Sequence, residues 1–247
     1  MLEAGLPAPA RGVFTTRDGG VSLPPWSSLN LAVHVDDAFA KVQRNRDLVV
    51  ERLGAQGLTG LAFGKQVHGA RVRVVRGLSK KTSRGLDDTD GLVTTVPGIG
   101  LAMMGADCLP VLLAGTAGDS PHVGVVGAAH VGRPGLVKGV LPEVLRVMRA
   151  EGAEHVEAVI GPGICGRCYE VPASMAGEVE KAVPGSRATT RQGTTSVDLT
   201  AGAVSQLERE GVTVRTVGGC TLEQPERFYS YRRDGLTGRH AGVVWLT

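Results

Sequence analysis

Two apolar runs decide the fold: Leu109-Pro-Val-Leu-Leu-Ala114 and, after a turn-rich interval, Val123-Gly-Val-Val-Gly-Ala-Ala129. Neither alternates apolar with polar residues, so each reads as a strand covered on both faces. Further strand-like runs lie at residues 12–16, 61–67, 71–75, 91–95, 156–160, 212–217 and 241–246. Helical periodicity marks residues 37–53, with Phe39, Val42, Val49, Val50 and Leu53 on one stripe, and residues 136–150. Residues 200–210 follow Asp198, a candidate cap, and a weaker helix at 173–182 follows Pro172. The strands outnumber the helices, which disfavours strict βα alternation. An α/β chain with two packed sheets flanked by helices, forming one domain over residues 1–247, is expected. Residues 18–25, 77–90 and 185–196 read as exposed loops.

With 247 residues, 42% of them hydrophobic and 21% charged, the chain can bury a sizeable core, which excludes a disordered tail or a small disulfide scaffold. Its 36 glycines against 4% aromatic residues indicate tight turns and close backbone approaches. A net charge of +3, with no basic run interleaved with aromatics, argues against a nucleic-acid groove. The least charged stretch, residues 91–115, is broken by Pro97, Asp107 and Pro110, so it reads as strands and turns and not as a membrane span. The first twelve residues carry no secretory pattern, and the 4 cysteines are expected to be reduced thiols in a cytoplasmic protein.

Several residues stand out chemically. Arg46 interrupts the apolar stripe of the first helix, beside Asn45, and a buried guanidinium calls for an anion, either a structural carboxylate or a substrate. Among the six histidines (His34, His68, His122, His130, His155 and His240), His68 and His130 end apolar runs, and Cys108 immediately precedes one. Small residues flank all three. Two imidazoles and a thiolate can hold a metal with one position open, whereas Cys108 with His130 equally fits a nucleophile and its base. Cys165 and Cys168 have the spacing of half a zinc site or a redox couple, but Cys220 stands apart in the sequence, so these read as buried or loop thiols. Asp87, Asp88 and Asp90 read as a solvated turn, with Asp90 within reach of a site at the strand edge.

Taken in order, Phe14-Thr-Thr-Arg-Asp-Gly-Gly-Val-Ser22, Ser28-Leu-Asn-Leu31, Val42-x-x-Asn-Arg46, Lys65-Gln-Val-His-Gly69, Asp88-Thr-Asp-Gly91 and Ala106-Asp-Cys-Leu-Pro-Val111 are followed by Ala128-Ala-His130, Ile160-Gly-Pro162, Cys168-Tyr-Glu-Val171, Phe228-Tyr-Ser-Tyr-Arg-Arg-Asp-Gly235 and Thr237-Gly-Arg239. This ordered set resembles the laccase-domain purine nucleoside phosphorylase family, formerly labelled multicopper polyphenol oxidases, which includes peptidoglycan editing factor. The resemblance implies a four-layer α/β/β/α sandwich. It also implies a zinc ion held by His68, Cys108 and His130, which would then be the catalytic residues, and substrate-pocket roles for Arg46 and Gln66. The implied reactions are phosphorolysis of adenosine, inosine, guanosine or methylthioadenosine, with purine nucleosides and phosphate as partners, and deamination of adenosine, with Asp107 or Asp90 as candidates for moving the proton. Copper is the lesser candidate, because a multicopper centre needs on the order of ten histidines, often as His-x-His pairs, and the chain has six and no such pair. The chain departs from the family pattern at Arg133 and Pro134, where relatives carry Trp and Arg, and at Glu223, where many carry a second cysteine. Two further readings stay open: a cysteine hydrolase or amidase acting on peptidoglycan precursors through Cys108 and His130, and a non-enzymatic, zinc-stabilised nucleotide-binding domain.

Overall fold

The computed structural model describes residues 1–116 and 123–247, so His122 lies outside the described residues. The two opening runs become the strands Leu109–Thr116 and Val123–Val131, paired antiparallel with Val111 opposite Ala129 and Leu112 opposite Ala128. They occupy the middle of a six-stranded sheet in the order Thr213–Thr216, His155–Ile160, Leu109–Thr116, Val123–Val131, Gly91–Thr94, Val72–Val74. A five-stranded sheet has the order Leu2–Glu3, Ala10–Phe14, His240–Leu246, Ile99–Gly105, Gly60–Phe63. Each sheet mixes parallel and antiparallel neighbours.

Successive side chains on a strand point to opposite faces, and both faces of the central pair are packed. Leu112, Val126 and Ala128 meet Phe14, Leu101, Met103 and Val244 of the other sheet. On the opposite face, Val111, Leu113 and Ala129 meet Val140, Leu141, Val144 and Met148 of the helix Val140–Ala150 and Leu207 of the helix Leu199–Arg209. A third core packs Val49 and Leu53 of the helix Phe39–Leu53 onto Val13, Phe63, Val243 and Trp245. The contents of these cores follow the order that an α/β/β/α sandwich requires. Leu112 is fully buried, and truncating a side chain in such a place to Ala costs about 2–5 kcal/mol.

Some expectations need correction. The strand Ile99–Gly105 was not anticipated. Its two faces pack into different cores, Leu101 and Met103 in one and Ala102 and Met104 in another, so it shows no alternation, and its Leu-Ala-Met-Met centre has little β propensity. The run expected at 61–67 leaves the sheet after Phe63. The helix expected at 136–150 is two helices, Arg133–Val137 and Val140–Ala150, separated at Gly139, whose φ of +77° suits glycine. Phe39 is 55% exposed and does not join the first helix's apolar stripe. The loop at 77–90 contains the short helix Lys80–Arg84, and that at 185–196 contains a hairpin of Arg187–Thr189 with Thr195–Val197. Asp198 does cap Leu199–Arg209, its carboxylate accepting from the Ala201 amide at 2.9 Å.

Candidate active site

Three segments converge at one edge of the sheets. Cys108 sits in the turn between the strands Ile99–Gly105 and Leu109–Thr116, and His130 lies near the end of Val123–Val131, opposite Pro110. His68 comes from the segment that leaves the sheet after Phe63. Gln66 ties that segment down: its Nε2 donates to the Met104 carbonyl at 2.8 Å and its Oε1 accepts from the Met104 amide at 2.9 Å. The side-chain amide thus continues the sheet pairing where the backbone departs.

Asp90 completes the assembly. This fully buried carboxylate accepts from the amides of Val67 at 3.2 Å, His68 at 3.0 Å and Gly69 at 2.8 Å, and also bonds His130 Nδ1 at 2.8 Å. One side chain therefore holds the His68 loop, in which His68 has a φ of +57°, and fixes the His130 ring with Nε2 free to ligate. Burial works against the Asp90 anion, but His130 and the amides keep its carboxyl below the ordinary range.

The Cys108 sulfur lies 3.6 Å from His68 Nε2, and the His68 and His130 rings meet edge-on with centroids 4.8 Å apart. One donor atom from each of the three residues lies within 4.8 Å of the others. Gly132 leaves the necessary space: a Cβ there would collide with the His68 ring and lie 2.9 Å from the Cys108 sulfur. Burial opposes ionisation of Cys108, but the charge of His130 and hydrogen bonds from both imidazoles outweigh it and bring the thiol down to about 6. Burial likewise disfavours the His130 cation, yet the Cys108 sulfur and Asp90 raise it to about 9. Each of the two groups thus favours the charged form of the other. A metal ion would replace the His130 proton at the ligating nitrogen.

These residues open onto a cavity of about 640 Å³. Arg133, Lys138, Arg232 and Arg239 bring positive charge to its wall, and Tyr169 and Tyr231 bring aromatic faces. The Arg232 guanidinium lies over Tyr169, 5.0 Å from the ring centroid, and that of Arg239 is 5.8 Å from Tyr231. The wall thus combines donors for a metal, charge for an anion and surfaces for a planar ring.

Residues 11–247 match the family described as multi-copper polyphenol oxidoreductase laccase. The chain belongs to this family. It is 45% identical over 239 residues to a Mycobacterium tuberculosis protein named purine nucleoside phosphorylase, covering 96% of this chain and 92% of that one. A Streptomyces griseus protein of the same name is 46% identical over 240 residues, covering 96% and 94%. Among solved structures, YlmD from Geobacillus stearothermophilus aligns with a TM-score of 0.85 at 30% identity, covering 97% of this chain and 93% of that one. A Neisseria meningitidis protein aligns with a TM-score of 0.83 at 35% identity, covering 99% and 98%. The names that these relatives carry support an enzyme. Among the described residues, no helix of this laccase-family chain is long and apolar enough to cross a membrane.

Not every expected site residue meets at this cavity. Gln66 lines it, with its amide committed to Met104. Arg46 lines a separate cavity of about 500 Å³. Its guanidinium lies 3.7 Å from the centre of the Phe63 ring, donates to the Leu31 carbonyl from Nε at 2.9 Å and Nη2 at 2.7 Å, and donates to the Ser83 carbonyl from Nη1 at 2.6 Å. Carbonyl oxygens take the place of the expected anion, and burial alone brings the group down to about 10. Asp107 accepts from Thr221 Oγ1 and from the Arg232 amide, both at 2.7 Å, and Asp90 is bonded as above, so both proposed proton carriers are engaged in holding structure. The cavity's Tyr169, Tyr231, Arg232 and Arg239 were not singled out from the sequence, although they stand inside the Cys168-Tyr, Tyr231-Arg and Gly-Arg239 motifs. Cys220, expected to stand apart, packs against Cys165, Cys168 and Glu223.

Proposed function

We propose that this chain acts, as one domain over residues 1–247, as a zinc-dependent purine nucleoside phosphorylase at the cavity around His68, Cys108 and His130. The observation that carries the reading is a His–Cys–His donor set, braced by Asp90, facing a cavity that also presents cationic and phenolic groups. The relatives named purine nucleoside phosphorylase give independent support. Two imidazoles and one thiolate suit zinc and leave a fourth coordination position, while Gly132 keeps the space beside them clear. When bound there, zinc would supply a Lewis acid that withdraws electron density from the purine nucleoside.

In phosphorolysis, a phosphate oxygen bonds to C1′ of the ribose, the C1′–N9 bond breaks, and its electron pair leaves with the base. Arg133 and Arg239 are assigned to the phosphate, and Tyr169 or Tyr231 to the purine face, the part that a Trp would play at the position of Arg133. Adenosine, inosine, guanosine and methylthioadenosine are the proposed substrates. Deamination of adenosine is a second reaction for the same site, favoured by the three-ligand donor set: water adds at C6 and ammonia leaves. The described cysteines are all unpaired, which fits the reducing compartment proposed for the protein, the cytoplasm.

The test is incubation of metal-analysed protein with adenosine, with and without phosphate. Free adenine and ribose 1-phosphate support phosphorolysis, and inosine supports deamination. Conversion of no nucleoside overturns the proposal. Hydrolytic activity that survives full chelation but is lost in Cys108→Ser would identify a cysteine hydrolase instead, and chelation that lowers the melting temperature of a protein without turnover would identify a binding domain.

A further inference from the structure

We propose a second metal site, structural in character, formed by Cys165, Cys168, Cys220 and Glu223 and suited to zinc. One donor atom from each of the four residues lies within 4.8 Å of the others, although the two pairs are far apart in the chain. Each pair spans one tight turn. In the first, the amides of Cys168 and Tyr169 donate to the Cys165 carbonyl at 2.9 and 3.0 Å; in the second, the Gln224 amide donates to the Cys220 carbonyl at 3.1 Å. The turns are joined by a parallel bridge between Gly163 and Cys220, with the Thr221 amide donating to the Gly163 carbonyl at 3.0 Å. Both therefore present ligands at positions i and i+3 to one point.

Several contacts suit metal ligation better than a disulfide. The Cys165 amide donates to the Cys220 sulfur at 3.4 Å, so this sulfur is already held in place as an acceptor. Glu223 Oε1 lies 3.4 Å from the Cys168 sulfur. A disulfide would use two of three adjacent sulfurs and leave the third and the carboxylate without a role. Three thiolates and a carboxylate around a dication leave an excess negative charge, and Arg191 lies where it offsets part of this, its Nε and Nη2 at 2.8 and 2.5 Å from Glu223 Oε1. Four protein donors leave no open position, the mark of a structural site.

The location gives the site its consequence. Tyr169, next to Cys168, lines the cavity, and Thr221, next to Cys220, holds Asp107 beside Cys108. An ion at this point would fasten the turn bearing Tyr169 to the segment that braces the Cys108 turn. The inference does not depend on nucleoside turnover, so it can fail while the proposed activity stands.

Metal content of the purified full-length chain, loaded with Zn²⁺ and desalted, tests it. Two equivalents are expected in the unaltered chain and one in Cys108→Ser. Co²⁺ loaded into Cys108→Ser is expected to give thiolate charge-transfer absorption that is lost in the further variant Cys168→Ser. Because a variant of a partly buried cysteine can fail to fold, the exposed Glu223 gives a second route: Glu223→Gln should fold and weaken retention of the second Zn²⁺ by about tenfold or more, at least the effect of losing a residue that only supports a ligand. No metal in folded Cys108→Ser, or a Cys165–Cys168 disulfide in freshly purified reduced protein, would overturn the site.

Discussion

The two cavities treat buried polar groups in opposite ways. Around Arg46, the guanidinium in an apolar helix stripe is met from within the fold by the Leu31 and Ser83 carbonyls and the Phe63 ring. Around His130, the buried groups are braced on one side only: Asp90 holds Nδ1, and the donor atoms of His68, Cys108 and His130 are turned toward one another and toward the cavity. A polar residue in an apolar run thus signals a partner of some kind. What distinguishes a working group from a packing group is a face left over after the fold has satisfied it.

Removing the sulfur probes the open side most directly. Cys108→Ala is expected to lower kcat/KM for nucleoside phosphorolysis by about 10²–10³-fold, the scale of losing one preorganised electrostatic group. Steady-state assays paired with metal analysis check it, and a variant that keeps its rate would show that the donor set is not the working face. His240 stands outside both cavities: a fully buried ring against Phe228 and Tyr229, whose nitrogens make no well-formed hydrogen bond among the described residues. Burial holds it neutral, with its pKa brought down from 6.5 to about 4. A group so depressed contributes stability in full above its unfolded value, and that contribution is lost as the pH falls from 6.5 toward 4. By linkage the loss amounts to roughly 3 kcal/mol. Denaturant titrations across that interval check it, and His240→Phe is expected to flatten that part of the acid slope; an unchanged slope would remove His240 as its cause.

Asp90 tests how much of the open side depends on its brace. Asp90→Asn keeps the size of the side chain but not the charge, and is expected to weaken Zn²⁺ binding at His68, Cys108 and His130 by about 10–100-fold. Competition with a chromophoric chelator measures this, and unchanged affinity would reduce Asp90 to a loop fastener.

Much of the architecture was legible because burial leaves a pattern. The central strands, the Ala173–Ala182 helix and the Asp198 cap follow from apolar runs, periodicity and a short acceptor at a helix start. The strand Ile99–Gly105 was not legible, because both its faces are packed, which removes alternation, and its Leu-Ala-Met-Met centre lacks the β-branched residues that mark Val123–Val131. His68, Cys108 and His130 could be picked out as residues at the ends of apolar runs, whereas their convergence depends on Gln66 and Asp90, whose bonds are long-range. Tyr169 and Arg239 carry no periodic signal, since loops bring them to the cavity. Cys220 looked isolated for the same reason: the bridge to Gly163 that sets it beside Cys165 joins segments with no local relation.

Two arginines, one in each cavity, differ in the same way. Arg239 lines the open cavity, and although Nη1 donates to the Thr237 and Gly238 carbonyls at 2.7 and 2.9 Å, its charge stands beside the metal-ligand cluster. Arg239→Ala is expected to raise the KM for phosphate about tenfold, the loss of one charge-assisted contact of 1.5 kcal/mol or so, with little change in folding. Arg46→Ala should do the reverse, leaving the phosphate KM where it was while depriving the Leu31 and Ser83 carbonyls of their donor, at about 1–3 kcal/mol for each group left unsatisfied. Measuring the phosphate KM and the denaturation midpoint on both variants separates the roles. If Arg46→Ala instead raised the phosphate KM without loss of stability, the saturated cavity would be the anion site, and the leftover-face criterion would fail.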